Sequence, residues 1–202
     1  HVKNIFLFSF YCAGIRIGDL LQLKWGNISG GRLTYYMGKT GRERNLKLLP
    51  HALKILKIYE TVKVKDSDYI FPFLDNSAEY SKLISPEDFQ KASPELIASL
   101  FKKIESRIAI CNKGLKEIAK ELTINKRLTT HIARHSFADI ARKKNISIYD
   151  ISRLLGHSKT GITERYLSGF DIEAQDKAHE SVLRKPKRNE SRISAKPAEA
   201  KP

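Results

Sequence analysis

Four polar side chains gather in one short stretch, residues 130–166: His131, Arg134, His157 and Tyr166. None is a residue that a packed core requires. His131 and Arg134 stand three apart, so a helix places them on one face. His157 follows a helix stop, in an exposed and fixed place. Tyr166 comes nine residues later. The set describes a basic pocket with a tyrosine at its mouth, suited to holding an anionic group beside a nucleophile.

The elements that position these groups are legible in the same stretch. Phe137, Ile140 and Ala141 continue an apolar stripe at helical spacing, and Asn145 and Ile146 end that helix. Ser147 opens Ser-Ile-Tyr-Asp, a capping-box-like start. The next helix runs through Ile148, Ile151, Leu154 and Leu155 until Gly156 stops it as a left-handed cap. Thr160 caps a last short helix that delivers Tyr166.

HIARHSFAD, LLGHS and TERYL together resemble the signature of the tyrosine recombinase, or phage integrase, family. The pattern is His-x-x-Arg, then Leu-Gly-His, then a tyrosine nine residues on. Three separated motifs fall in the right order. The N-terminal half continues the likeness. Gly14, Arg16, Gly18, Asp19 and Leu20 match the family's Gly-x-Arg-x-Gly/Ser-Asp/Glu-Leu. Lys39 stands in Lys-Thr-Gly at a hairpin, where the family carries a catalytic lysine, with Lys47 and Lys24 as alternatives. The resemblance covers residues 1–183.

It implies a site of Arg16, Lys39, His131, Arg134, His157 and Tyr166, with Asp19 as a supporting carboxylate. Arg16 and Arg134 offer forked donors to the non-bridging oxygens of a phosphodiester, and His157 adds a third hydrogen bond. Tyr166 attacks phosphorus and becomes linked through a 3′-phosphotyrosine. His131 serves as base or orienter, and Lys39 as general acid to the departing 5′ oxygen. No metal and no cofactor is called for. The implied partner is double-stranded DNA carrying an attachment site. A homo-oligomer (a tetramer) assembles on it, with accessory DNA-bending proteins and no membrane. The place implied is cytoplasmic and nucleoid-associated. The activity is site-specific recombination, integrating or excising a mobile element.

Other readings stand beside this one. A type IB topoisomerase-like nicking-closing enzyme would share the pocket without exchanging partners. A DNA-binding module without chemistry would need the charge but not Tyr166. His131, His135 and His157 could be read as a metal set, but no acidic or thiol cluster completes it. His135 reads as structural, and His51 and His179 as solvated surface residues.

Composition agrees with a polyanion as partner. There are 37 Lys and Arg against 22 Asp and Glu, a net charge of +15. From Arg184 onward seven basic residues face two acids, so residues 1–183 keep an excess of ten. Cys12 and Cys111 read as free thiols, and no apolar run reaches membrane-spanning length. The chain opens without a Met inside an amphipathic segment, which reads as a piece of a longer protein lacking an N-terminal DNA-binding domain.

The expected fold is α+β: a mostly helical domain over 1–183 with one small antiparallel sheet of three strands. Helices are expected over 2–11, from Ile17, over 50–64 with Leu53, Ile58 and Val62 inward, after Ser85 and after Ser93. The helix after Ser93 is expected to break at 112–114. Strands are expected over 32–37 and 44–49, with a third at 25–28. Residues 69–74 read as extended and core-seeking. A helix is expected over 171–183, docked on its own domain or on a neighbour, and a disordered basic tail over 184–202.

Overall fold

A computed structural model describes residues 1–156. The expectations for His157, Tyr166, the helix over 171–183 and the tail over 184–202 lie outside the described residues. Within them the fold is α+β. Seven helices surround one small sheet: α1 Val2–Tyr11, α2 Ile17–Leu21, α3 Pro50–Glu60, α4 Pro86–Lys91, α5 Pro94–Glu121, α6 Thr130–Lys143 and α7 Ile148–Leu155. The sheet is antiparallel in the order β1 Ile28–Ser29, β2 Arg32–Tyr36 and β3 Glu43–Lys47. Its register sets Leu33 against Leu46 and Tyr35 against Arg44.

Side-chain caps explain three of the seven helix starts among the described residues. Ser85 and Ser93 each accept a hydrogen bond from a backbone N–H in the first turn, and Pro86 and Pro94 fill the position where no N–H is needed. Ser147 accepts from the Asp150 N–H at 3.1 Å and donates its own hydroxyl proton to the Asp150 carboxylate. Gly156, at φ +67°, closes α7 in the left-handed region.

The main core joins α1, α2, α3, the sheet and α5 through Phe8, Leu20, Leu21, Leu33, Phe71 and Leu100. Phe8 meets Phe71 edge-on at 5.3 Å between centroids. A second, smaller cluster of Ala138, Ala141, Ile151 and Leu155, with Phe137 against it, holds α6 to α7. Phe137 also meets Phe10 of α1 at 6.2 Å.

Several expectations are corrected. α5 runs unbroken through residues 112–114 for 28 residues. Asn112 turns its amide oxygen to the Thr130 N–H at 2.9 Å, and Gly114 lies where a Cβ would come within 3.1 Å of Val2. Both residues serve contacts with other elements, so neither ends the helix. Trp25–Asn27 is a 3₁₀ turn, and the first strand begins only at Ile28. α3 ends at Glu60, and Leu53, Ile58 and Val62 are exposed, because its buried face is Ala52, Ile55, Leu56 and Tyr59. Ile140 and Leu154 are likewise exposed; the inner faces of α6 and α7 belong to Ala133, Ala138, Ile151 and Leu155. Residues 69–74 form no ladder beyond a bridge from Tyr69 to Lys24, although Tyr69, Ile70, Phe71 and Leu74 are buried as expected. Cys12 and Cys111 are buried free thiols, and burial pushes them up to about 12 and about 11.

Candidate active site

Two tight approaches build the site. The first joins the α1–α2 turn to α6. Gly14 sits at φ +67°, and a Cβ there would fall 3.0 Å from the Arg134 Cα and 2.9 Å from its Cγ. Only glycine permits both that backbone angle and that distance. Arg134 is thereby drawn inside, 4% exposed. Its Nη1 donates to the Gly14 carbonyl at 2.6 Å, and its Nη2 to the Leu155 carbonyl at 2.5 Å.

The second joins the sheet to the end of α7. A Cβ on Gly156 would lie 2.5 Å from the Met37 Sδ and 2.7 Å from the Arg44 Nη1. Arg44 donates to the Arg153 carbonyl at 2.9 Å and to the Leu154 carbonyl at 2.5 Å. The last three carbonyls of α7 are therefore held by two arginines, one from β3 and one from α6. Free carbonyls at a helix C-terminus carry partial negative charge, so guanidinium groups are well matched to them.

Arg16 begins α2 with extended backbone, φ −63° and ψ 140°. Its Nη1 reaches the Met37 Sδ at 3.9 Å. One turn on, Asp19 is buried and accepts from the Gly38 N–H at 3.0 Å. Its Oδ2 has no hydrogen-bond partner among the described residues. Burial raises the Asp19 pKa, and the Gly38 N–H, Arg16 and Arg134 pull it back. Asp19 thus anchors the turn whose next residue is Lys39, and the charges of Arg16 and Arg134 act on its carboxyl. Lys39 itself is exposed at the tip of that turn.

His131 lies one turn before Arg134 on α6, its ring 6.0 Å from that of His135. Partial burial holds its pKa below the ordinary 6.5, and the charges of His135, Arg134 and Arg16 push the same way. A neutral imidazole near pH 7 is the form that can accept a proton. The sign for stability follows. Just below pH 6.5 the unfolded chain binds more protons at this site than the folded one, so stability rises with pH through that window. His131→Gln should flatten that part of the profile, read by urea unfolding between about pH 5 and 7. An unchanged slope would remove the imidazole from the charged cluster.

The structure therefore brings together Arg16, Asp19, His131 and Arg134, and sets Lys39 on the turn tied to Asp19. His157 and Tyr166 are outside the described residues; His157 follows Gly156 directly in sequence. Lys24 is no alternative to Lys39. It is 3% exposed, donates to the Ser81 carbonyl and stands 4.8 Å over the Tyr69 ring. Lys47 is exposed at the end of β3.

Sequence reasoning missed Arg44 and Tyr35. Tyr35 is buried opposite Arg44, and burial pushes its hydroxyl up to about 12 against the pull of Arg44, Arg134 and Arg16. Strand alternation was the available signal, since Arg44 shares its side of β3 with Leu46. Among the described residues no three His, Cys, Asp or Glu side chains converge as a metal set, and no helix is long and apolar enough to cross a membrane.

With this geometry in view, the comparison with known families is decisive: the profile of the phage integrase family matches residues 2–171. The chain belongs to the phage integrase family. Family relatives include the tyrosine recombinase XerA of Thermococcus onnurineus, 28% identical over 182 residues, which are 89% of this chain and 55% of the relative. The tyrosine recombinase XerD of Chlamydia trachomatis is 28% identical over 163 residues, 79% of this chain and 46% of the relative. The chain thus spans about half the length of these relatives. The fold recurs in the crystal structure of XerA recombinase, at TM-score 0.55 and 17% identity, covering 92% of this chain and 64% of that one. It recurs in the Tn1549 transposon integrase in complex with transposon right end DNA, at TM-score 0.56 and 12% identity, covering 90% and 58%.

Proposed function

We propose that this chain is the catalytic part of a site-specific DNA recombinase that cuts and rejoins strands through a 3′-phosphotyrosyl intermediate, integrating or excising a mobile element. The observation that carries the reading is that buried Arg134 of α6 donates to the Gly14 carbonyl at 2.6 Å, two residues before Arg16, while Asp19, one turn after Arg16, holds the Gly38 N–H beside Lys39. Family membership and the DNA complex of the transposon integrase support it.

The chemistry is a transesterification. The Tyr166 oxygen forms a bond to phosphorus, and the bond from phosphorus to the 5′ oxygen breaks. His131 takes or steers the phenolic proton, which at a free pKa of about 10 would otherwise stay in place. Lys39 gives a proton to the departing 5′ oxygen. Arg16, Arg134 and His157 donate to the non-bridging oxygens, where negative charge builds in the transition state. The phosphoester bond is conserved in the adduct, so the reverse attack by a 5′ hydroxyl rejoins the strand. Double-stranded DNA is the substrate, a tetramer on it the assembly, accessory DNA-bending proteins its helpers, and the nucleoid its place.

The test uses a protein carrying this chain and a nicked duplex containing its attachment site, with chelator present. The expected product is a covalent protein–DNA species whose modified peptide bears Tyr166. No adduct, or an adduct on another residue, overturns the reading. An adduct that reseals but never exchanges strands between two duplexes identifies a nicking-closing enzyme instead.

A further inference from the structure

The sheet leaves one peptide edge open, and the opening faces a cavity. Strand β1 is two residues long and pairs with β2 only at Arg32 and Leu33. The Met37 N–H donates to the Arg42 carbonyl, and the Gly31 carbonyl accepts the Leu48 N–H, so the odd-numbered residues of β2 turn their peptide groups toward β3. In an antiparallel ladder the alternate residues then turn theirs to the other side. Two of these are tied off. The Thr34 carbonyl accepts from the Asn27 Nδ2 at 2.9 Å, and the Gly38 N–H donates to Asp19 at 3.0 Å. Tyr36 stands between them. Among the described residues, its N–H and carbonyl meet no partner on that side.

Asn27, Thr34, Tyr36 and Gly38 all line a cavity of about 530 Å³. That volume lies in the range of ligand-binding clefts, about 300–1,000 Å³. Leu83 and Ile84, Phe89 of α4 and Phe101 of α5 give it an apolar wall. Tyr36, Ile84 and Phe101 stay exposed there, so large apolar side chains gather around one opening instead of scattering over the surface. The charged residues that line the cavity are Asp19, Lys24 and Glu43. The Lys24 ammonium is engaged by the Ser81 carbonyl and the Tyr69 ring. Two acids beside an engaged lysine disfavour a phosphate chain and favour a neutral or basic occupant. A donor and an acceptor on one strand residue are matched by one residue of another strand.

We infer that this groove binds an extended apolar segment of a partner protein, neutral or basic in charge, which adds as a strand beside Tyr36 and seats alternate side chains against the apolar wall. The Tyr36 peptide supplies two hydrogen bonds, and the wall supplies burial and selects large side chains. Gly38 is the next residue on the same edge, so the partner also reaches the turn that carries Lys39. The inference stands on the sheet edge and does not depend on the proposed strand cleavage.

The probe is the labelled peptide acetyl-Lys-Val-Thr-Phe-Thr-Val-Lys-amide, and the readout is fluorescence anisotropy with a protein carrying this chain. Saturable binding is expected. Tyr36→Pro removes the N–H that faces the groove and leaves the β2–β3 ladder its bonds, a place where a strand tolerates proline. It should weaken the peptide by about tenfold or more, and so should Phe101→Ala on the apolar wall. Thermal unfolding reports whether each variant is folded. If Tyr36→Pro is not, Phe101→Ala and a methylated peptide series carry the test. In that series, backbone N-methylation at one alternate set of residues should abolish binding, and at the other set it should leave affinity within a few-fold. No saturation by about 1 mM, or equal affinity in both variants and both methylated sets, overturns the inference. Duplex DNA that loses affinity in the two variants, with no peptide binding, assigns the groove to nucleic acid and overturns it. Self-association of the wild-type protein that both variants abolish, again with no peptide binding, makes the occupant a second copy and overturns it too.

Discussion

Arg134→Lys should lower the rate of covalent adduct formation at saturating DNA by about a hundred- to a thousandfold. The substitution keeps the charge, so the loss measures geometry. In the native protein the two Nη atoms span from the Gly14 carbonyl at 2.6 Å to the Leu155 carbonyl at 2.5 Å, bridging the α1–α2 turn and the end of α7. A guanidinium is a planar fork of five N–H donors that holds two acceptors in fixed relative positions, and a phosphate would compete for that fork in the same plane. A lysine ammonium is a single point on a flexible stem. It can hold one carbonyl or approach the phosphate, and it leaves a buried carbonyl unsatisfied, at about 1–3 kcal/mol. The rate should therefore fall together with the melting temperature, while affinity for duplex changes little. A rate within a few-fold of wild type would make Arg134 a structural clamp and leave the phosphate to Arg16.

Gly14→Ala is expected to cost about 2–5 kcal/mol of stability, from left-handed backbone and steric overlap combined. The new methyl would sit 3.0 Å from a backbone Cα of α6, which cannot swing aside as a side-chain end would. In a domain of this size that lowers the melting temperature by roughly 5–15 °C. Gly31→Ala isolates the two causes. Gly31 has a similar angle, φ +71°, but open space around it, so it suffers the backbone penalty alone. Equal losses in the two variants would show that the approach of Gly14 to Arg134 is looser than the 2.9–3.0 Å separations imply. Adduct formation should fall in Gly14→Ala and hold in Gly31→Ala, because only the first displaces Arg134.

The contrast between these glycines shows what a sequence can and cannot carry. The stretch over 130–156 was legible because its signals are local. Ser147 caps α7, Gly156 stops it, and the three-residue spacing of His131 and Arg134 fixes their shared face. Gly14, Arg16 and Asp19 were legible as a pattern, and so was Lys39 in its hairpin. What a residue contacts across the fold was not. Arg44 reads as a routine strand arginine because its carbonyl partners lie 109 and 110 residues away. Lys24 reads as an alternative to Lys39, yet a carbonyl and an aromatic ring hold it inside. Asn112 and Gly114 read as helix breakers, and tertiary contacts with Thr130 and Val2 keep them helical. Helical periodicity placed Ile58 and Val62 inward, but the buried face of α3 is Ala52, Ile55, Leu56 and Tyr59, and the helix ends at Glu60, before Val62.

The two arginines on α7 have a consequence for motion. Helix α7 shares apolar contact chiefly with α6, through two alanines, Ile151, Leu155 and Phe137, while the large core belongs to other elements. Among the described residues that small cluster is its apolar anchorage, and the guanidinium bonds to residues 153–155 add to it. Such an element belongs to the low end of the opening free energies within a fold, a cooperative unit that exchanges its amides ahead of α1 or α5. An anion that draws Arg134 toward itself competes with Leu155 for the same donors. Anion capture at Arg134 and the tethering of α7 are then linked quantities.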